Sequence, residues 1–120
     1  MDITGIKDLT LITTDGGNGI RLDHGIFANN YLIDSTGSKT KLKLSKAVKI
    51  KPGYGKARQD KFSEKRALSI GGKTYSNGIV LHANGTVTFS INGKYKSFIS
   101  FAGCFDKSNG SVRFKVLGDG

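Results

Sequence analysis

Three short stretches of the sequence carry side chains that could bind a polar ligand at the ends of loops. Amide, carboxylate, imidazole and ammonium groups present directional donors and acceptors, which suit a hydroxyl-rich ligand such as a sugar. A tyrosine in one stretch could add a stacking face. The residues are Asp23 and His24; Tyr54, Lys56 and Asp60; and His82 and Asn84.

Each of these stretches also has a purely structural explanation. His82 could satisfy a buried backbone group, and Asp23 with His24 could form a pair that fixes its own segment. Tyr54 could anchor its glycine-rich loop by packing. The residues alone leave both explanations open at all three stretches.

Catalytic chemistry finds little support in the sequence. It contains no GxSxG nucleophile motif, no P-loop, no zinc-binding spacing and no dinucleotide fingerprint. Its 9 acidic residues show no paired pattern of the kind that glycoside hydrolysis needs. Cys104 lies in an apolar run, which favours a buried structural thiol, and a single cysteine excludes an intrachain disulfide. We therefore predict that the protein is not an enzyme.

The positive charge is concentrated in one part of the chain. The formal net charge is +10, and residues 36–75 hold twelve cations against only Asp60 and Glu64. This segment could form a surface for polyanions, or its lysines could simply be solvated. The lack of interleaved aromatic residues disfavours nucleic acid. The cations of the polyanion hypothesis are Lys39, Lys41, Lys43, Lys46, Lys49, Lys51, Lys56 and Arg58.

Short apolar or alternating runs between turn residues predict an all-β chain. Lys41–Ile50 alternates lysine with aliphatic residues in its first half, which predicts one half-exposed strand with its lysines on one face. Asn92-Gly93 is typical of a type I′ turn and would join strands Thr86–Ile91 and Tyr95–Phe101. The other predicted strands are Asp8–Thr14, Ala67–Ile70, Lys73–Tyr75, Gly78–His82 and Ser111–Leu117.

The stretch Leu68–Gly120 contains an ordered series of short motifs. These are Gly72–Tyr75, His82–Asn84, Gly93–Tyr95, Gly110–Val112 and Gly118–Gly120. In this order they resemble the central part of the NPCBM (novel putative carbohydrate-binding module) domain. Upstream, Val48–Asp60 is similar to the opening of that domain, with Tyr54 in place of the usual tryptophan.

The N-terminal segment Asp2–Asn30 resembles the C-terminal end of the same domain, so the order of the parts is permuted. Circular permutation or a junction between tandem modules would explain this order. We expect residues 1–34 to correspond to the C-terminal part, 35–40 to a join and 41–120 to the rest, together forming one sandwich domain. One strand of the domain is then missing. Its absence would expose a sheet edge unless Asp2–Ile6 or a second chain covers it, which predicts a strand-exchanged homodimer.

The resemblance implies a galactose-binding-like, jelly-roll β-sandwich. It also implies a non-catalytic module that binds galactose-type glycans and accompanies a secreted glycoside hydrolase or a surface protein. The location would be extracellular, with any signal outside this sequence, and no apolar stretch approaches the ~18 residues of a membrane span. Two alternatives stay open: a structural or self-assembling module without a ligand, and a basic polyanion-binding module.

Proteins with this fold often hold a structural calcium ion, which requires six to eight oxygen ligands, several of them anionic. Here Ile26 and Asn29 stand where the family has acids, and the stretch Phe105–Lys107 keeps only one. We therefore expect no cofactor and no tight metal site. Asn29 and backbone carbonyls are the residual possibility for calcium.

Overall fold

A computed structural model describes residues 1–14, 24–53, 55–104 and 112–119. These residues form short antiparallel strands and one turn of 3-10 helix, Leu44–Lys46. The strands are β1 (Asp8–Thr14), β2 (His24–Ile33), β3 (Lys39–Lys41), β4 (Ala47–Lys51), β5 (Arg58–Gln59), β6 (Lys61–Ser63), β7 (Arg66–Ile70), β8 (Lys73–Tyr75), β9 (Gly78–His82), β10 (Gly85–Ser90), β11 (Ser97–Cys104) and β12 (Arg113–Gly118).

The strands are arranged in three sheets. Sheet I has the order β12-β1-β10-β4, and sheet II has the order β11-β2-β9-β5 with β3 paired to one end of β2. Sheet III is the small meander β6-β7-β8. The N-terminal segment therefore supplies an inner strand to each of the two larger sheets.

The main core lies between sheets I and II. On β1 the alternate residues Leu9, Leu11 and Thr13 are fully buried, whereas the residues between them are half-exposed. Full burial of a large apolar side chain such as Phe27 or Phe89 contributes about 1.5–3 kcal/mol. Two antiparallel sheets that pack their apolar faces together confirm the predicted β-sandwich.

Sheet III covers part of the outer face of sheet II. Leu68 on β7 is fully buried against Ile26, Ala28 and Val80, which form a second, smaller cluster. This explains why β2 is buried on both of its faces near its start, although most strands of the sandwich alternate. No strand or helix among the described residues covers the outer face of sheet I in this way.

The prediction of one strand over Lys41–Ile50 was wrong. The 3-10 turn interrupts this run, because β3 pairs with β2 in sheet II whereas β4 pairs with β10 in sheet I. The backbone N–H of Leu44 donates to Oε1 of Gln59 at 2.7 Å, which fixes the turn where the chain changes sheets. A single strand cannot serve both sheets, so the lysines of this run do not share one face.

The Asn92-Gly93 turn has the predicted backbone conformation but not the predicted role. Both residues have positive φ angles, 55° and 69°, as a type I′ turn requires. However, β10 belongs to sheet I and β11 to sheet II, so the turn connects the two layers of the sandwich and not two paired strands of a hairpin. The two strands predicted at Ala67–Ile70 and Lys73–Tyr75 correspond to β7 and β8, which pair with each other as an antiparallel hairpin.

Residues Met1–Ile3 lie beside the start of β11, at the edge of sheet II. The N–H of Ile3 donates to the carbonyl of Lys96, and the N–H of Phe98 donates to the carbonyl of Met1, both at 2.9 Å. The N-terminal residues thus cover this edge in part, while the missing strand stays a prediction. The homodimer stays a prediction.

Candidate functional site

His82 ends β9 and is 5% exposed. Its Nδ1 lies 2.5 Å from the carbonyl oxygen of Ala83. Because a carbonyl can only accept, Nδ1 must carry the proton in this arrangement. The Ala83-Asn84 peptide bond is cis, and Asn84 is exposed at the start of the crossing to sheet I. The ring of His82 therefore contacts the neighbouring backbone carbonyl, and Asn84 is the member of this pair that reaches the surface.

His24 and His82 are direct partners in the register of β2 and β9. Their ring centroids lie 4.6 Å apart with the planes at 89°. The ring of Phe62, from β6, lies 5.0 Å from that of His24, also edge to face. Edge-to-face contacts of this kind hold aromatic rings in fixed relative orientation. Three residues that are far apart in the sequence thus form one cluster of rings at the end of sheet II.

The glycine-rich loop is packed directly against the end of β9. The N–H of Gly53 donates to the carbonyl of His82 at 3.0 Å. A Cβ atom at position 53 would lie less than 3.0 Å from the carbonyl carbon and oxygen of Ala83 and from the backbone nitrogen of Asn84. Only glycine allows this approach of two backbones. The loop that carries Lys56 is therefore positioned by the chain segment that follows His82.

A cleft of about 260 Å³ lies beside this cluster. Lys56 and Arg58 supply cationic donors, Ser63 supplies a hydroxyl group, and the rings of His24 and Phe62 form part of the wall. Pockets for drug-sized ligands start at about 300 Å³, so this volume suits a smaller ligand such as one sugar ring. The lining residues among those that the structure describes are His24, Gly55, Lys56, Arg58, Phe62, Ser63 and Val80.

Of the predicted site residues, His24 and Lys56 line the cleft, while His82 packs behind His24. Asp60 does not line it: its Oδ1 accepts from the N–H of Gly78 at 3.0 Å and from Nε2 of Gln59 at 2.7 Å. These contacts fix the start of β9, and a role of Asp60 in glycan binding stays a prediction. Asp23 and Tyr54 fall outside the described residues.

Phe62, Arg58 and Ser63 line the cleft but were not predicted as glycan-binding residues. Arg58 stood out in the sequence only as one cation of the basic segment. Phe62 and Ser63 belong to β6, a strand of three residues with no distinctive pattern. Their place in the site follows from the way sheet III folds over sheet II, which no local signal indicates.

The structure supports no metal centre within the part of the chain that it describes. There, no three His, Cys, Asp or Glu side chains lie close enough together to hold a metal ion. Oδ1 of Asn29, the residue considered for calcium, accepts from Nδ2 of Asn77 at 3.4 Å. The neighbouring groups are an amide and the hydroxyl of Tyr31, which do not match the anionic oxygen set that calcium prefers. The described ranges also contain no helix long and apolar enough to cross a membrane.

Comparison with known proteins places the chain in a family. Residues 38–120 match the NPCBM/NEW2 domain, and this range includes the cleft-lining loop, sheet III and the end of β9. Residues 1–37 lie outside the match, so the permuted order of the N-terminal segment stays a prediction. Neither the curated proteins nor the solved structures gave a match. The chain belongs to the NPCBM/NEW2 domain family, a family of carbohydrate-binding modules.

Proposed function

We propose that the chain is a non-catalytic module that binds galactose-type glycans in the cleft beside His24. The observation that carries the proposal is the convergence of two cationic donors, a hydroxyl and aromatic walls in a cleft of sugar size. Galactose has one apolar ring face opposite its axial hydroxyl, which suits contact with Phe62 and Val80. Lys56 and Arg58 would then donate hydrogen bonds to hydroxyls at the rim.

The composition of the cleft wall also supports a binding role rather than hydrolysis. Glycoside hydrolysis commonly needs two carboxyl groups that flank the scissile bond. Among the described residues, none of the seven that line the cleft is an aspartate or a glutamate. We therefore propose that the module holds a partner enzyme or surface protein on its glycan, in an extracellular setting.

Titration of the isotope-labelled protein with galactose, and with glucose for comparison, tests this function by NMR. We expect galactose at millimolar concentration to shift the resonances of Phe62, Ser63 and Val80. Replacing both Lys56 and Arg58 with alanine should weaken binding by about tenfold or more, because a hydrogen bond from a charged donor contributes about 1.5–3 kcal/mol. The proposal would be refuted if galactose caused no chemical-shift changes and no galactoside on a glycan array bound the protein.

The matched control replaces Lys65 and Arg66 with alanine. This pair removes the same two charges from an exposed turn of sheet III and does not line the cleft. Galactose affinity should stay unchanged in this variant. An equal loss in both variants would show that net charge, rather than the cleft, governs binding.

The strand-exchanged homodimer is a separate proposal. It is supported by the edge strand β11, which Met1–Ile3 flanks only near Ser97, and by the exposed side chains of Ile99 and Phe101 on the same strand. Sedimentation over a range of concentrations tests it. A monomer at every concentration would exclude the dimer without affecting the proposed glycan site.

A further inference from the structure

The outer face of sheet I combines hydroxyl groups with two rows of cations. On β1, Thr10, Ile12 and Thr14 alternate with fully buried residues, so they point away from the core. On β10, Thr88 pairs with Thr10 and Thr86 pairs with Ile12. The hydroxyls of Thr10 and Thr88 lie 3.1 Å apart. These five residues form the half-exposed centre of what we call the threonine face.

The cations flank this centre on both outer strands. Lys49 and Lys51 of β4 pair with Thr88 and Thr86. On the other side, Lys115 and Arg113 of β12 pair with Ile12 and Thr14. All four cations are exposed. Because paired residues of antiparallel strands point to the same side of a sheet, all four belong to the threonine face.

The spacing of the cations follows from sheet geometry. The two rows are separated by three strand intervals, about 14 Å, and cations within one row lie about 7 Å apart. Among the residues that the structure describes, acidic side chains occur at one end of this face only, where Asp8 and Asp119 lie beyond Thr10. The face is therefore polarised, with its positive end at Lys51, Lys115 and Arg113.

From this arrangement we infer that the threonine face binds a linear anionic glycan, one that carries sulfate or carboxylate groups. The cations would pair with the anionic groups, while the threonine hydroxyls, which can donate and accept, would bind sugar hydroxyls between them. The described face has no aromatic ring on which a nucleic-acid base could stack, so its chemistry favours a glycan over a single strand. This surface lies on sheet I, across the sandwich from the cleft.

Binding to heparin, measured by calorimetry at several salt concentrations, tests the inference. Replacing Lys51 and Lys115 with glutamine should weaken heparin binding by about 25-fold, since one ion pair in water changes affinity about fivefold. The matched control, Lys65 and Lys73 to glutamine, removes the same charge from sheet III and should change affinity less than about threefold. Equal losses in the two variants would show diffuse attraction to a basic protein and overturn the proposal.

Two further measurements separate the ligand classes. Thr88→Val keeps the side-chain shape and removes a central hydroxyl, so it should weaken heparin binding by about threefold without changing the salt dependence. Single- and double-stranded DNA of matched charge should bind more weakly than heparin. Tighter binding of either DNA would assign the face to nucleic acid and reject the glycan. Replacing Lys56 and Arg58 should lower heparin affinity no more than the charge-matched control does. Failure of the threonine-face proposal and failure of the galactose-cleft proposal are therefore distinguishable.

Discussion

Gly53→Ala tests whether the glycine-rich loop is held by close backbone packing against the end of β9. The new Cβ atom would meet backbone atoms of Ala83 and Asn84, which cannot rotate aside as a side chain can. Overpacking of this kind costs about 1–3 kcal/mol. Loss of the hydrogen bond between the Gly53 N–H and the His82 carbonyl adds about 1 kcal/mol. The lower entropy of the unfolded alanine chain offsets about 0.4–1 kcal/mol. With the middle of each range, the net loss of folding free energy should be about 2 kcal/mol.

Urea denaturation measures this loss, with Gly71→Ala as the control. Gly71 has a φ angle of +58° and no atom within 4 Å of an added Cβ, so the control carries backbone strain without a clash. Its cost should be about 1 kcal/mol. Gly53→Ala should also shift the side-chain NMR signals of His24 and His82, whereas Gly71→Ala should leave them unchanged. A Gly53→Ala loss no larger than that of the control, with unshifted histidine signals, would refute the packing argument.

Three other predictions concern stability. Leu68→Ala should reduce the free energy of unfolding by about 2–5 kcal/mol because it opens a cavity under sheet III. The control Leu117→Ala, at a side chain 40% exposed, should change it by less than about 0.5 kcal/mol. Similar values for the two variants in urea denaturation would contradict the assigned burial. Gln59→Leu should cost about 1–3 kcal/mol because the N–H of Leu44 loses its acceptor, and a calorimetric melting temperature equal to that of the native protein would speak against this. Hydrogen bonds from the Thr36 side chain and nearby backbone N–H groups lower the pKa of Asp34. The contribution of this carboxylate to the free energy of unfolding is therefore present above the unfolded pKa of about 3.9 and is lost as the pH falls through the lower folded value. The Asp34→Asn variant should lose less stability than the native protein between about pH 5 and pH 2, and identical pH profiles would show that the Asp34 turn adds nothing.

Local patterns predicted individual strands well. Asp8–Thr14 and Lys73–Tyr75 have the predicted bounds, because alternation and glycine turns act within a few residues of the chain. Sheet membership was not predictable in this way. The run Lys41–Ile50 shows why: an alternating pattern states that one face is buried, but not which of two sheets buries it.

The candidate site was predictable only in part, for the same physical reason. The motif that includes His82 and the loop with Lys56 could be found because they resemble a family pattern. Phe62 enters the site through its edge-to-face contact with His24, which depends on how sheet III lies over sheet II. Such a contact between layers leaves no periodic signal in the sequence.

The two proposed surfaces lie on opposite faces of one sandwich, and this separation has a consequence for binding. The cleft sits on sheet II beside sheet III, while the threonine face is the outer side of sheet I. Packed sheets are about 10 Å apart, so no side chain contributes to both surfaces. Replacing Lys56 and Arg58 should therefore lower galactose affinity by the same factor whether or not Lys51 and Lys115 are also replaced, since sites without shared partners are usually independent. A module of this kind could hold a neutral galactoside on one face and an acidic chain on the other, which would cross-link two glycans rather than grip one more tightly.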